Sequence, residues 1–177
     1  MGSYRKILIT GGVRGGKSRF ALSLAKKFSR PKIFLATAKA SDEEMKKRIK
    51  RHQKERDKSF STLEVPLYLS KALDRVPAGS VVVIDCLTLW LTNLFFHFKE
   101  DEILIGKQID LFTKSLEKIS SHVIIVSNEV GWGIIPINRL SRRFIEKIGF
   151  LNQRIAVLSD EVILVVSGLP LWMKGKK

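Results

Sequence analysis

The segment GGVRGGKS, which covers residues 11–18, has the residue types and the spacing of a phosphate-binding loop. Glycines let the backbone turn sharply and approach an anion closely, so that the N–H groups of the loop can point at phosphate oxygens. Lys17 adds a mobile positive charge for the β- and γ-phosphates, and Ser18 offers a hydroxyl to Mg²⁺. We therefore predict a nucleotide phosphate site formed by Gly11, Gly12, Val13, Arg14, Gly15, Gly16, Lys17 and Ser18.

The segments on either side of this loop are the elements that such a site requires. The apolar, β-branched residues 7–10 precede the loop and predict a buried strand, and a helix is predicted over residues 18–27. The positive end of that helix dipole points at the bound phosphates. A second strand, predicted over residues 32–37, completes a βαβ unit whose two strands run parallel.

A further apolar segment, residues 81–84, ends in Asp85. An acid at the carboxyl end of a buried strand beside a phosphate loop is typical of the second NTPase motif, where it holds Mg²⁺ or its water shell. The alternative is an acid that caps the next helix, and both roles are compatible. That helix, predicted over residues 87–98, is apolar nearly all round, so we expect it to be buried in the domain or against another subunit. His97 within it is interpreted as a packing or interface residue.

A helix is predicted to begin at a capping box formed by Ser41 and Glu44. Met45 and Ile49 lie four residues apart on one face of this helix, and His52 continues the same face three residues later. From the spacing alone, His52 is better explained as a partly buried histidine of a weakly amphipathic helix than as a reactive group.

Another buried strand, predicted over residues 122–127, ends in the polar residues Asn128 and Glu129. Polar groups at the carboxyl end of a parallel strand lie at the ligand crevice of an open α/β sheet, so Glu129 is a candidate functional residue. The alternative is a loop acid that pairs with a lysine. A last strand over residues 161–167 brings the sum to five main apolar strands separated by helices. This pattern predicts an α/β fold, with a P-loop NTPase-like (RecA-like), mostly parallel sheet flanked by helices, in one nucleotide-binding domain over residues 1–177.

The charge balance bears on the class of partner. The net charge is +15, from 32 Lys+Arg against 17 Asp+Glu, which fits nucleic acid, phosphate-rich small ligands or a lysine-rich surface. The basic residues are scattered and do not alternate with aromatic residues, which disfavours nucleic acid as the main partner.

Cys86 is the single cysteine and excludes an intramolecular disulfide. No apolar run is long enough to span a membrane and the first residues lack a signal-peptide pattern, so we expect a cytoplasmic protein.

Stretches over nearly the whole length resemble one family, the bifunctional adenosylcobinamide kinase/adenosylcobinamide-phosphate guanylyltransferase of cobalamin (vitamin B12) biosynthesis. The matching stretches are ILITGGVRGGKSRFA, FLATAKASDEEMKKRIKRHQKER, VVVIDCLTLWLTNL, VSNEVGWGIIPINRLSRRF and NQRIAVLSDEVILVVSGLP. An ATA strand, an R-I-x-x-H helix and an S-N-E-V-G-x-G-I-x-P segment in this order are far more specific than the phosphate loop alone. Two departures, Gly15 where Ser is common and Asp85 where Glu also occurs, remove no required group.

The resemblance implies two reactions, phosphorylation of adenosylcobinamide by ATP or GTP and transfer of GMP from GTP to adenosylcobinamide phosphate, which gives adenosylcobinamide-GDP. It implies that His52 is the nucleophile that becomes guanylylated, and we expect nearby arginines, Arg48 among them, to lower its pKa. It also implies a homotrimer with active sites between subunits, and Mg²⁺ held by Ser18 and Asp85 directly or through water. Further nucleotide-binding residues implied by the resemblance are Ala36, Thr37, Ala38, Gln53, Lys54, Glu55, Arg56, Glu64 and Asp85.

Three other interpretations stay open at this point. A P-loop kinase of another small metabolite would leave His52 idle, a nucleic-acid-stimulated NTPase would account for the positive charge, and a structural protein would bind nucleotide without turnover. The sequence does not identify the general base of a kinase step, for which Asp85 and Glu129 are both candidates.

Overall fold

The computed structural model describes residues 4–40, 42–55 and 59–175. Strands and helices alternate over most of this chain, and the exceptions are two successive helices and two successive strands near the end. The strands are β1 (Lys6–Thr10), β2 (Lys32–Ala36), β3 (Phe60–Glu64), β4 (Val81–Asp85), β5 (His122–Val126), β6 (Glu161–Val166) and β7 (Leu169–Lys174). The helices are α1 (Lys17–Lys26), α2 (Glu43–Glu55), α3 (Leu69–Leu73), α4 (Leu87–His97), α5 (Glu102–Lys118) and α6 (Arg139–Leu158).

The strands form one sheet in the order β3-β2-β4-β5-β1-β6-β7. Every neighbouring pair runs parallel except β6 and β7, which run antiparallel. The expected mostly parallel α/β sheet is confirmed. Because parallel strands end at the same edge, the segments that follow β1, β2, β4 and β5 meet along one side of the molecule.

Strand β7 was not among the elements that the sequence predicts. It pairs with β6 through a tight turn in which Ser167 has φ 52° and Gly168 has φ 81°. Two successive positive φ angles are typical of a two-residue hairpin whose twist suits the strands. The proline at position 170 hides this strand from a pattern search, although proline is tolerated in an edge strand.

Apolar side chains cover both faces of the sheet. Helix α1 packs on one face, where Ile7 and Ile9 of β1 contact the same buried cluster as Ala21 and Leu22. Helices α3 to α6 contribute to a larger cluster that also contains Leu8 of β1 on the other face. Successive residues of β1 therefore point to opposite faces, and a strand buried on both faces reads as an uninterrupted apolar run.

Helix α4 is buried within its own chain. Trp90, Leu91 and Leu94 have no solvent exposure, and among its large apolar residues only Phe96 is mostly exposed, at 77%. Of the two predicted alternatives, the structure shows burial in the domain, because residues of α5 and α6 belong to the same buried cluster as those of α4. His97 is a packing residue, whose ring contacts Tyr68 and Phe98.

The start of α2 differs from the predicted capping box. Asp42 begins the helix, because its side-chain Oδ1 accepts a hydrogen bond of 2.7 Å from the backbone N–H of Met45. Ser41 and the side chain of Glu44 lie outside the described parts of the chain. Within the described residues, no helix has the length and apolar character needed to cross a membrane.

Candidate active site

The phosphate loop joins β1 to α1 at the centre of the sheet edge. Gly11 has φ 141°, Arg14 has φ 59° and Gly16 has φ 93°, so the backbone makes repeated turns that most residues resist. Gly16 precedes the first turn of α1 and no side chain caps that turn. The first turn therefore has no capping side chain to satisfy its N–H groups, and such groups can bind an anion.

The glycines of the loop also let it pack against the β6–β7 hairpin. A Cβ atom on Gly11 would lie 2.3 Å from the carbonyl oxygen of Val165, and one on Gly16 would lie 3.1 Å from Cα of Gly168. The N–H of Gly168 donates a hydrogen bond of 3.0 Å to the carbonyl of Gly15. The unpredicted hairpin therefore forms the support on which the phosphate loop rests.

The side chain of Lys17 reaches back across the loop. The side chain is buried, and its Nζ donates a hydrogen bond of 2.6 Å to the carbonyl of Gly12 across the loop. Val13 and Arg14 stand exposed at the tip. The Lys17 side chain thus spans the loop from the start of α1 to Gly12, and the phosphate-binding role of the loop residues stays a prediction.

A cleft with an empty volume of about 590 Å³, including space open to solvent, adjoins the start of α1. The ends of β2, β3 and β4 line it on one side and α2 lines it on the other. It brings together predicted site residues from separate parts of the chain, namely Ser18, Ala36, Ala38, Gln53, Glu64 and Asp85. Apolar residues complete the walls, namely Phe34, Met45, Ile49 and Leu89.

Thr37, also predicted to bind nucleotide, has its side chain turned away from this cleft. Its hydroxyl accepts a hydrogen bond of 2.7 Å from the N–H of Cys86 and donates one of 2.8 Å to the carbonyl of Cys86. The Thr37 side chain has no solvent exposure. It therefore ties the end of β2 to the end of β4, which fixes Ala36 and Asp85 relative to each other.

Asn93 is a residue that the sequence analysis missed. Its side-chain Nδ2 donates hydrogen bonds of 2.8 Å to the carbonyl of Thr37 and 3.0 Å to the carbonyl of Pro66. Helix α4 thereby holds the two loops that follow β2 and β3. No sequence signal marks this role, because the amide meets its acceptors only after the sheet has formed.

The backbone of α2 carries position 52 one turn after Ile49, on the helix that lines the cleft. The side chains of His52, Lys54, Glu55 and Arg48 lie outside the described part of the structure, as does Arg56 entirely. The expectation of a lowered pKa for His52 therefore stays a prediction.

Glu129 lies beside the first residue of the phosphate loop. Its N–H donates a hydrogen bond of 3.1 Å to the carbonyl of Gly11, and its side-chain Oε1 accepts hydrogen bonds from the hydroxyl of Thr10 and the amide of Asn152. Within the described residues, the contacts of this carboxylate are with polar neutral groups rather than with a lysine. The sequence-based alternative of a lysine-paired loop acid is thus not what these contacts show.

Comparison with known proteins identifies the family. Residues 7–173 match the model of the family described as "cobinamide kinase / cobinamide phosphate guanyltransferase" (CobU). The chain belongs to this family.

Relatives of near-equal length support the assignment. The chain is 40% identical over 170 residues to the bifunctional adenosylcobalamin biosynthesis protein CobP of Pseudomonas aeruginosa, covering 96% of this chain and 97% of that protein. It is 34% identical over 180 residues to the bifunctional adenosylcobalamin biosynthesis protein CobU of Escherichia coli, covering 95% and 99%. The resemblance found in the sequence is confirmed.

Solved structures of low sequence identity share the fold. A protein from Pyrococcus horikoshii aligns with a TM-score of 0.57 at 8% identity, covering 98% of this chain and 87% of its own. An ATPase of a bacterial type III secretion system aligns with a TM-score of 0.53 at 12% identity, covering 90% and 50%. These likenesses show the fold alone.

For a CobU-family protein, the donor set in the cleft suits a magnesium ion. The hydroxyl of Ser18 and the carboxylate of Asp85 line the same space, and both are hard oxygen donors of the kind that Mg²⁺ prefers. Among the described residues, no group of three or more His, Cys, Asp or Glu side chains forms a metal cage. Mg²⁺ is commonly held by one or two protein oxygens together with substrate phosphates, so these two residues fit that arrangement.

The described groups with a shifted pKa lie away from the cleft of this CobU-family chain. Burial lowers the pKa of His122, with the positive charges of Arg30 and Arg5 adding to the effect. A hydrogen bond from Arg143 lowers the pKa of Glu102, helped by the charge of Lys147. His122 begins β5, at the opposite edge of the sheet from the phosphate loop.

Proposed function

We propose that this chain is an adenosylcobinamide kinase and adenosylcobinamide-phosphate guanylyltransferase, acting on adenosylcobinamide in cobalamin biosynthesis. It would use ATP or GTP in the first reaction and GTP in the second. One observation carries the proposal beyond family membership. Helix α2, which carries position 52, lines the same cleft as Ser18 and Asp85 through Met45, Ile49 and Gln53.

In the transferase reaction, the neutral imidazole of His52 attacks the α-phosphorus of GTP. An N–P bond forms, the bond from the α-phosphorus to its bridging oxygen breaks, and pyrophosphate leaves. Lys17 and the N–H groups of the loop stabilise the negative charge that develops on the leaving group. A phosphate oxygen of adenosylcobinamide phosphate then attacks the same phosphorus, the N–P bond breaks, and adenosylcobinamide-GDP is released.

The walls of the cleft offer groups that suit a guanine nucleotide. Glu64 presents a carboxylate, which accepts hydrogen bonds from the N1–H and the 2-amino group of guanine, a pair of donors that adenine lacks. Met45 and Ile49 offer apolar contact to the base or ribose. Lys54, Glu55 and Arg56 are proposed to complete the nucleotide site after His52, with Arg48 beside it.

In the kinase reaction, the γ-phosphoryl group of ATP or GTP passes to the hydroxyl of the aminopropanol arm of adenosylcobinamide. Positioning and charge neutralisation supply most of the catalysis in such a transfer. Lys17 and the loop N–H groups hold the phosphates, and Ser18 and Asp85 would hold the cation. A bound Mg²⁺ supplies neutralisation of the phosphate charge.

We also propose a cytoplasmic homotrimer whose active sites lie between subunits. The described surface that fits an intersubunit contact follows Glu129, where Trp132 is 66%, Ile134 96% and Ile137 97% exposed. Large neighbouring apolar side chains at such exposure are typical of interaction surfaces. Sedimentation equilibrium tests the assembly: a trimer mass that falls to a monomer in an Ile134→Ser, Ile137→Ser variant is expected.

The experiment that tests the function is intact-mass measurement after incubation with GTP and Mg²⁺, on the wild type and on His52→Ala. We expect one acid-labile, base-stable GMP adduct on the wild type and none on the variant. Both proteins should bind GTP equally well, which controls for folding. No adduct on GTP-binding wild-type protein would refute the transferase reaction and favour a P-loop kinase of another small metabolite. Stimulation of ATP hydrolysis by DNA or RNA would favour the nucleic-acid-dependent NTPase.

A further inference from the structure

We propose that Glu129 is the general base of the kinase reaction, and that Asn152 and Thr10 are positioning residues that present its carboxylate to the substrate hydroxyl. This inference rests on the proposed kinase function. Glu129 contacts the substrate hydroxyl in this proposal, and Asn152 and Thr10 act only through Glu129.

The position of Glu129 is set by the phosphate loop itself. Its N–H donates to the carbonyl of Gly11, so the residue moves with the first residue of the loop. Strand β5, which it follows, lies directly beside β1 in the sheet. Glu129 is therefore held beside the start of the phosphate loop, with its backbone on Gly11 and its carboxylate on Thr10.

The two oxygens of this carboxylate have different surroundings. Oε1 accepts hydrogen bonds from the hydroxyl of Thr10 and from Nδ2 of Asn152, the latter at 3.2 Å. Within the described chain, Oε2 has no hydrogen-bond donor, and the residue is only half-buried. One oxygen is thus fixed from behind while the lone pairs of the other are available to accept a proton.

Asn152 is built to hold that orientation. It lies on α6, is 7% exposed, and its Oδ1 accepts a hydrogen bond of 2.6 Å from the hydroxyl of Ser127. Its Nδ2 also donates to the carbonyl of Asn128 at 3.2 Å. One buried amide therefore contacts three consecutive residues after β5. The carbonyl of Asn128 can only accept, so it fixes Nδ2 as the end of the amide that faces Glu129.

Asp85, the other candidate for the base, has a different setting. It lines the cleft together with Ser18, where the two oxygens fit a cation. A carboxylate that binds a cation is a poor proton acceptor. The geometry thus divides the two acids, with Asp85 on the cation side and Glu129 free to accept a proton.

The hydroxyl oxygen of the aminopropanol arm forms a bond to the γ-phosphorus while the bond from that phosphorus to its β-bridging oxygen breaks. The nucleoside diphosphate leaves, and the hydroxyl proton passes to Oε2 of Glu129. Transfer of GMP needs no such acceptor, because its nucleophiles are a neutral imidazole and an already ionised phosphate. A substitution of Glu129 should therefore impair the kinase reaction and leave GMP transfer unaffected.

The first experiment measures both half-reactions in the wild type and in Glu129→Gln. Single-turnover phosphorylation of adenosylcobinamide with ATP is expected to fall roughly 100-fold to 10,000-fold, the usual contribution of a general base. The GMP adduct on His52 and the affinity for ATP should stay within about twofold, in contrast. A kinase rate within about tenfold of wild type, or an equal loss of both half-reactions, would overturn the assignment.

Positioning by Asn152 is tested with Asn152→Ala and with Gln153→Ala as the matched control. Gln153 is the next residue on α6, carries the same amide and is exposed. We expect the Ala substitution at 152 to lower the kinase kcat about tenfold or more with the KM for ATP unchanged and adduct formation retained, while the control matches wild type. A loss shared by both half-reactions would show a merely structural role and overturn the positioning claim.

Thr10 gives a second, independent test. Thr10→Val removes the hydroxyl with little change of shape, and Thr10→Ser restores a hydroxyl at the same place. The Val variant should lose kinase kcat selectively and the Ser variant should recover most of it. Equal kinase rates in the two variants would contradict the proposal. A wild-type protein with neither kinase activity nor a GMP adduct would instead refute the proposed function, and with it this assignment.

Discussion

The two walls of the cleft are built in different ways. The phosphate loop is held by backbone contacts, including the hydrogen bond from Gly15 N–H to the carbonyl of Gly12 and the close packing of Gly11 on Val165. Helix α2 is held by side chains. Among its described side chains none is fully buried, and those that face the cleft include Met45 and Ile49, which are only half-buried.

Because of this difference, we expect nucleotide binding and GMP transfer to respond to different substitutions. Phosphate affinity depends on a backbone shape that exists before the nucleotide arrives, so it should be insensitive to changes on α2. The helix that carries His52 has a side-chain cap from Asp42 and an exposed ion pair between Glu43 and Lys46, and exposed pairs of that kind add little stability. We therefore expect contacts with bound nucleotide to contribute to the placement of α2, which makes GMP transfer sensitive to its few apolar contacts.

The largest effect is expected from Gly11→Ala. The new Cβ would meet the carbonyl oxygen of Val165 at 2.3 Å, and the φ of 141° strains any side chain. We expect a loss of about 3 kcal/mol or more in the free energy of unfolding, measured by chemical denaturation, and loss of nucleotide binding. Gly12→Ala is the matched control, because its Cβ would have nothing within 4 Å. Equal stability of the two variants would contradict the conclusion that the β6–β7 hairpin supports the phosphate loop.

Thr37→Val should come next. The substitution leaves both the N–H and the carbonyl of Cys86 without the Thr37 hydroxyl in a fully buried position. We expect a loss of about 2 kcal/mol in the free energy of unfolding, and Thr37→Ser should recover most of it. If the Val variant proved as stable as wild type, the hydrogen bonds of Thr37 would not be what holds the ends of β2 and β4 together.

Ile49→Ala tests the other wall. Since Ile49 is only half-buried, we expect a loss below about 1 kcal/mol in the free energy of unfolding. The rate of GMP-adduct formation should fall about tenfold, an effect of about 1.4 kcal/mol on the barrier. Lys47→Ala, on an exposed position of the same helix, is the control. A fall in ATP affinity as large as the fall in adduct formation would contradict the expectation that nucleotide affinity is insensitive to changes on α2.

The smallest effect concerns pH and a histidine remote from both walls. Burial, Arg30 and Arg5 hold the pKa of His122 below its ordinary value of 6.5. His122 therefore binds a proton more readily in the unfolded chain than in the folded protein. Its contribution to the free energy of unfolding is complete above pH 6.5 and is lost as the pH falls below that value. His122→Asn keeps an acceptor for the N–H of Arg5, and its Tm should depend less on pH between 7.5 and 5.5, while the GMP adduct still forms. An unchanged pH slope would refute the role of His122.

The sequence predicted those parts of the molecule whose chemistry is local. A phosphate loop needs its glycines, Lys17 and Ser18 in one short segment, and the strand that ends in Asp85 is recognised by its own apolar run. The supports of the site escaped prediction because they join distant segments. Asn93 reaches a carbonyl 56 residues away and Thr37 bonds a residue 49 positions along the chain. Strand β7 was not predicted because it contains a proline and has few buried residues, a pattern that is also typical of an irregular terminal segment.

The place of β1 in the sheet has a consequence for the order in which the molecule is made. The phosphate loop precedes β5 and β6 in the chain and is synthesised before them, yet β1 pairs with both strands, and the loop rests on a turn at residues 167–168. A ribosome-bound chain that stops before β6 would carry the complete motif without the surface that shapes it. Nucleotide binding should therefore arise late in synthesis and abruptly, as expected when the central pairing joins residues far apart in the chain.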